Sequence, residues 1–392
     1  MRLKKVARML ALMLVLVLGT PGVLAQDDLP TYDTYTVLDV QDLPLIAGVS
    51  RQSSAHLSPD GTRFVHVDGS TFCFYMLDDN NVWVEEACTE LDREISGRDT
   101  EEIYWSPDGQ WLTLPTYRDA FVFLYDTDIR ILNTETFEAV VLTQDQTTGT
   151  PIDLDYSGFF DIAPQWLDDD TLLFLRYIPD DDLGYAHLMH IDLSGSEPQE
   201  VTALTAPSRV SIYLIAASRA SSEVAYNIND FGSAPENGIW TMGLDNLEPE
   251  QAVAIEEGPD LPQNLAYSAN GSYLLNINAR GTVYGTTVSS VVEVVDPATG
   301  EIIPLDDSQI VIGAGWSPEG SALAYLVNNP ENPESSGLYI SPAPGEPGHL
   351  VLAGQFAPPT SSQRMPLVWA NNDTILIGNR AEGILLIRVG VK

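Results

Sequence analysis

The sequence predicts an all-β chain: a seven-bladed β-propeller of four-stranded antiparallel blades, with the last blade closed by the N-terminal strand. Three observations predict it. The turn Ser58-Pro59-Asp60-Gly61 recurs at intervals near fifty residues. Each copy is followed by short apolar, strand-like runs with no amphipathic helical segment between them. The final repeat stops one strand short, and the segment before the first repeat has the pattern of the missing strand.

The turn sets the register of the repeats. Ser106-Pro107-Asp108-Gly109 and Ser317-Pro318-Glu319-Gly320 are close copies, and Ser268-Ala269-Asn270-Gly271 is a fair one. Three more copies follow the spacing, so that the turns begin at Ser58, Ser106, Leu167, Ser218, Ser268, Ser317 and Ala370, with intervals of 48, 61, 51, 50, 49 and 53. A period of this size indicates repeats rather than separate domains. Proline at the second position presets φ, Asp or Asn follows, and Gly accepts a positive φ. The residue before the turn is bulky in most copies: Leu57, Trp105, Trp166, Ala217, Tyr267, Trp316 and Trp369. After the turn come an apolar run such as Phe64-Val65-His66-Val67 and two further runs, as at 290–295 and 301–305 around Asp296-Pro297-Ala298-Thr299-Gly300. Four short strands per fifty residues is the pattern of a propeller blade. The seventh unit has runs at 366–369, 374–378 and 383–389. Residues 35–40 align with the fourth-strand segments 138–143 and 200–205. Pairing the two ends closes the ring and removes an exposed sheet edge.

These repeats resemble the WD40-like propeller units of the TolB type, which also occur in the propeller domains of prolyl-oligopeptidase-family peptidases. The resemblance covers nearly all of 30–392 and implies a fold far more than a function. TolB proteins carry an α/β domain before a six-bladed propeller. Here no stretch is free for that domain and seven units are counted, so a role in the Tol envelope system is not expected. A peptidase needs an α/β-hydrolase domain with a G-x-S-x-G elbow. The nearest approach, Gly315-Trp316-Ser317-Pro318-Glu319, is a blade turn, and peptidase activity is not expected either.

Residues 1–25 read as a secretory signal peptide. Arg2, Lys4, Lys5 and Arg8 form the basic start, 9–18 the apolar centre, and Ala25 the small residue at the cut. The apolar run is short for a membrane span. Residues 26–392 are then one propeller domain, periplasmic or secreted. Cleavage removes four of the 18 Lys and Arg and none of the 56 Asp and Glu, leaving a formal charge of −42 with Lys392 as the one lysine. So acidic a body repels nucleic acid and anionic lipid surfaces. The partners expected are therefore a protein, peptide or glycan, with the chain a monomer and no membrane insertion after cleavage.

The two cysteines, Cys73 and Cys88, lie equidistant from Asn80-Asn81. A two-residue hairpin loop there brings them face to face, and an oxidising compartment closes the disulfide. No third cysteine and no suitably spaced histidine supports a zinc site. His187 and His190 project from opposite faces if their segment is a strand.

Topology narrows where a ligand binds. The recurring turns join first to second strands and share one rim, so the longer second-to-third-strand loops (117–128, 177–184, 227–238 and 328–337) share the other. Long loops on a rigid scaffold carry function. The candidate ligand-binding residues there are Tyr117, Arg118, Tyr177, Asp180, Asp181, Asp182, Phe231 and Arg280. No cofactor is expected. The carboxylates Asp126, Asp128, Asp180, Asp181 and Asp182 are the candidates for a Ca²⁺ site, with Asp119, Asp153, Asp155 and Asp161 nearby in sequence. The expected function is an exported binding or scaffolding module. The alternative is a propeller hydrolase or lyase with a metal or carboxylate site at the channel mouth.

Overall fold

The computed structural model describes residues 35–43, 54–91, 103–114, 128–143, 160–177, 185–194, 197–205, 212–229, 235–255, 261–283, 286–305, 311–329, 331–356, 367–379 and 383–391. They form seven antiparallel blades in a ring. The chain enters as β1 (Tyr35–Leu43), which belongs to the last blade. Blade 1 is β2 (Ser54–Leu57), β3 (Arg63–Asp68), β4 (Thr71–Leu77) and β5 (Trp83–Glu90). Blade 2 is β6 (Trp111–Leu114), β7 (Arg130–Asn133) and β8 (Ala139–Val141). Blade 3 is β9 (Phe160–Trp166), β10 (Thr171–Tyr177), β11 (Tyr185–Asp192) and β12 (Gln199–Thr205). Blade 4 is β13 (Ile212–Ser218), β14 (Glu223–Ile228), β15 (Gly238–Gly243) and β16 (Pro249–Ala254). Blade 5 is β17 (Leu261–Tyr267), β18 (Leu274–Val283), β19 (Thr286–Asp296) and β20 (Glu301–Pro304). Blade 6 is β21 (Val311–Trp316), β22 (Leu323–Val327), β23 (Gly337–Ser341) and β24 (His349–Ala353). Blade 7 is β25 (Leu367–Trp369), β26 (Thr374–Asn379) and β27 (Gly383–Val391), with β1 outermost. In blade 2 the inner position is taken by residues 103–105, bridged at Trp105↔Leu112 and bonded from Thr113 N–H to the Tyr104 carbonyl (2.9 Å).

The blades are buried on both faces, so their strands read as near-continuous apolar runs. Leu274 packs toward blade 4 while its neighbour Leu275 packs toward blade 6, and Val295 and Val294 divide in the same way. One apolar cluster fills each junction between neighbouring blades. The last of them joins Leu57 and Phe64 of blade 1 to Ala370, Leu376 and Leu386 of blade 7. Each fully buried aliphatic or aromatic side chain contributes roughly 1.5–3 kcal/mol.

The closing strand pairs as expected and is longer. β1 runs antiparallel to β27 from Tyr35↔Val391 to Leu43↔Ile384, with a bulge at Leu38. Tyr35 and Val37 pack onto the blade 6–7 cluster, and the Tyr35 ring meets Trp369 edge-on at 5.4 Å.

The repeated turn is organised by a buried serine. Ser58, Ser106, Ser268 and Ser317 are each at most 2 % exposed. In each, the hydroxyl oxygen accepts the backbone N–H five residues on (Arg63, Trp111, Tyr273, Ala322) at 2.9–3.0 Å. The Ser58 and Ser106 hydroxyls donate to Asp60 and Asp108 at 2.6 Å. The bulky residue before the turn stitches blades together. The indole N–H of Trp105 donates to the His56 carbonyl (3.0 Å), Trp166 to Tyr104 (3.1 Å) and Trp316 to Ala266 (3.2 Å), always in the blade before.

The turns also nest. A Cβ on Gly320 (φ +76°) would lie 2.6 Å from the Ala269 nitrogen of the preceding turn, whereas one on Gly109 (φ +74°) would meet nothing within 4 Å. Both positions are strained for alanine by about 1 kcal/mol or more, and only Gly320 adds a collision with backbone. Gly320→Ala is expected to lower the thermal midpoint clearly more than Gly109→Ala, as measured by circular dichroism. Deleting residues 35–43 is expected to lower the midpoint by roughly 10 °C or more or to abolish cooperative unfolding.

The Cys73–Cys88 disulfide is present, with S–S 2.02 Å, but the hairpin that aligns it differs from the expected one. The strands flank the turn at Leu77↔Trp83. Asp78 N–H bonds to the Val82 carbonyl, Asn81 N–H bonds to the Asp78 carbonyl (each 2.9 Å), and Asn81 alone takes a left-handed φ of 59°. The Asp78 carboxylate, accepting from Asn80 and Val82 N–H at 2.8 Å, favours this longer loop over a two-residue one. A register shift between Phe74 and Tyr75 then restores the Cys73↔Cys88 pairing.

Candidate functional site

The second-to-third-strand connections leave from the rim opposite the nested turns. One of them, 328–337, is described but for residue 330 and closes on itself, and of 227–238 the two ends are described. Asn329 Oδ1 accepts Glu331 and Asn332 N–H (both 3.0 Å), and Tyr339 Oη donates to the Ser335 carbonyl (2.7 Å). Beside the other, Trp240 Nε1 donates to Glu236 (2.8 Å) and Gln251 bridges the Pro235 and Asn237 carbonyls.

Of the sequence candidates, Tyr117, Arg118, Asp119, Asp126, Asp153, Asp155, Asp180, Asp181, Asp182 and Phe231 lie outside the described residues. Asp128 is half-buried just before β7. Arg280 lies within β18, opposite Ser289, rather than in a loop. Tyr177 ends β10, is buried in the blade 3–4 core, and its hydroxyl donates to the Ile212 carbonyl. It is held in that core instead of being displayed for a ligand. His187 and His190 lie in β11 opposite Arg176 and Leu173, on opposite sheet faces as expected.

Two polar pairs on this rim were not foreseen as pairs, although Asp161 was named from sequence beside the Ca²⁺ candidates. Asp161, at the start of β9, is buried and receives both Nε and Nη2 of Arg176 at 2.7 Å. The guanidinium also lies 5.6 Å over the Phe174 ring, and His187, the next residue in the row, sits 3.3 Å from the Glu200 carboxylate. Removing one member of a buried, bidentate pair costs about 3–5 kcal/mol, so the Asp161 carboxylate is committed to the blade. On blade 1, the Ser54 hydroxyl and His56 Nε2 are 2.8 Å apart. A hydroxyl beside an imidazole is the geometry of nucleophile activation, but burial, and then the nearby His66, push the His56 imidazole down to about 4. So weak a base resists taking the serine proton, and the pair acts as a satisfied polar contact. Alternation along β2 (residues i and i+2 on one face) was the available signal for it.

The chain matches no protein-family model and no curated protein by sequence. Solved structures are similar in fold. An oligogalacturonate lyase in complex with manganese shares 15 % identity over 92 % of this chain and 96 % of its own, with a TM-score of 0.55. An oligogalacturonate lyase from Vibrio parahaemolyticus shares 10 % over 90 % and 97 %, TM-score 0.53. A chain of the mitotic checkpoint complex shares 15 % over 97 % and 98 %, TM-score 0.55. At these identities the similarity establishes the propeller and nothing finer. Among the described residues the single group with metal-ligand spacing is Cys73, Glu85 and Cys88. With its sulfurs joined to each other it offers no thiolate, and it does not suit manganese, which favours oxygen donors.

The opposite rim carries a contrasting electrostatic pair. Burial, reinforced by Asp373, holds Glu319 above the carboxylate range. Burial also raises Asp373, against the Trp369 hydrogen bond and Arg388. The signs of the two rims oppose. His56 titrates lower in the folded than in the unfolded chain, so stability is lost as pH falls from about 6.5 to about 4, with a slope of up to about 1.4 kcal/mol per pH unit. Raised Glu319 and Asp373 regain stability as pH falls through the carboxylate range. In thermal melts against pH, His56→Gln is expected to flatten the loss between 6.5 and 4, and Glu319→Gln to raise stability at neutral pH.

Proposed function

We propose that this chain is an exported β-propeller that binds a protein, peptide or glycan on the rim bearing its second-to-third-strand loops, after removal of a signal peptide at Ala25. It works as a periplasmic or secreted monomer, without membrane insertion and without nucleic acid. The carrying observation is the asymmetry of the two rims. One is tied up in turn-to-turn contacts, such as Asn371 N–H to the Pro59 carbonyl (2.8 Å) and Asn372 Nδ2 to the Gly61 carbonyl (2.9 Å). The other carries the longer second-to-third-strand connections, which leave from rigid strand ends. Tyr117, Arg118, Phe231 and Arg280 are the contact residues proposed there; Tyr177 is left out because its hydroxyl is committed to the Ile212 carbonyl in the core. The function needs no cofactor; Asp126, Asp128, Asp180, Asp181 and Asp182 are the carboxylates that would hold a Ca²⁺ ion, since hard oxygen donors suit it.

A lyase-like activity is the alternative, favoured by the two oligogalacturonate lyases whose fold covers at least 90 % of this chain. Electrostatics weigh against it. A chain of net charge −38 repels a polyanionic sugar unless cations bridge the two. Ultraviolet absorbance of an unsaturated product, followed with oligogalacturonate and Mn²⁺, would decide for the lyase.

On glycan and peptide arrays the folded protein is expected to give specific hits. Tyr117→Ala and Arg118→Ala should each weaken them by about 1–2 kcal/mol, roughly five- to thirtyfold, with the thermal midpoint unchanged. No hit above background with Ca²⁺ present would count against a binding role.

A further inference from the structure

The outer half of blade 1 holds side chains that the proposed ligand rim does not use. His66, Cys73 and Cys88 are directly opposite one another across β3, β4 and β5. Antiparallel partners project from one sheet face. Phe64, two residues from His66, packs on blade 7, so all three stand on the face turned to that blade. Glu85 pairs with Tyr75, two positions along β4 from Cys73. Its carboxylate and the two sulfurs lie within 4.8 Å of one another. His66 is 6 % exposed, and its Nε2 is buried with no hydrogen-bond partner. Such a nitrogen is costly unless it has a use.

We propose that, while the Cys73–Cys88 bond is open, His66, Cys73, Glu85 and Cys88 form a binding site for a thiophilic divalent cation of the zinc class. Two thiolates, one imidazole nitrogen and one carboxylate oxygen make a four-ligand set that such an ion accepts. Neighbouring strands of one hairpin already present the two sulfurs and the carboxylate, whereas His66, opposite Cys73 on the flanking strand, stands outside that 4.8 Å group in the disulfide form and completes the set by turning its side chain. Cys88 and Glu85 are exposed, which gives the ion a way in. The newly made chain carries thiols. Cation binding releases two thiol protons to solvent and moves no electrons. Oxidation by a disulfide-bearing oxidant instead transfers two electrons and two protons to that oxidant and joins the sulfurs. The two states exclude each other, so the cation delays closure of the staple.

The test uses the purified chain reduced by a phosphine, freed of it under inert gas, and titrated with Co²⁺ and Zn²⁺. The expected result is one ion per chain and a sulfur-to-cobalt charge-transfer band, both absent from the oxidised chain and from Cys73→Ser/Cys88→Ser. In chelator competition with Zn²⁺, His66→Gln and Glu85→Gln should each weaken binding by about tenfold or more, with the β-sheet circular dichroism retained. The proposal is overturned by the absence of a thiolate band in the reduced chain, or by equal binding in the double serine variant. It is equally overturned by unchanged affinity in both His66→Gln and Glu85→Gln, or by loss of the β-sheet spectrum on reduction, since the site needs β3, β4 and β5 in register.

Discussion

The ladder between β1 and β27 is the constraint on which the rest depends. Every blade buries one face against its predecessor and the other against its successor, so no blade completes its core alone. Without β1, blade 7 lacks its outer strand, and the edge of β27 from Ile384 to Val391 is left open. Tyr35 and Val37 also cover the blade 6–7 cluster. The start of the strand thus supports the junction before the seam, while Gln41 reaches across the seam to the Asn81 carbonyl at 3.1 Å. Loop-closure entropy is opposed at one place, and the gain is distributed around the ring.

Closure is made exact by polar contacts that repeat in step with the apolar ones. The indole N–H bonds from Trp105, Trp166 and Trp316 all reach the carbonyl one residue before the corresponding bulky residue of the previous blade. Apolar packing alone is non-directional. These bonds, with the nested turns, fix how far each inner strand slides past the next. Arg63 does similar work further out, joining Glu86 (2.7 Å) to the Thr134 carbonyl (2.8 Å) of blade 2 while lying over Phe74 and Trp105.

Much of this fold was legible because the turn chemistry is local. Ser, Asp and Gly at fixed offsets specify one hydrogen-bond pattern, and that pattern marks the blades wherever it occurs. Leu167 and Ala370 lack the serine, and their turns close one residue sooner, on Thr171 and Thr374. Spacing rather than motif identified them. The role of the preceding tryptophans was not legible, since their partners lie some fifty residues away and only the ring brings them together. The disulfide pairing emerged although the loop behind it was misjudged, because a bulge one side of Cys73 offset the longer turn. At the ligand rim, sequence pointed to loop residues by type. Tyr177 shows the limit of that logic, because an aromatic at a strand end has a core within reach, and its burial outweighs display.

Charge ties the architecture to function. Three described arginines serve the blades internally: Arg63 between blades 1 and 2, Arg176 against Asp161, and Arg388 beside Asp373. Their charge is neutralised where it sits, so it does little to offset 56 acidic residues. The field outside is therefore negative and largely unrelieved, and it selects partners before any contact forms. Cations and cationic or neutral surfaces are drawn in or tolerated, whereas polyanions approach only behind bridging ions. For the binding role proposed above, this field favours a neutral glycan or a basic peptide over a uronate chain. The same field concentrates zinc-class ions at exposed Glu85 and Cys88 before the thiols close, which links the acidity of the whole molecule to the chemistry of one hairpin.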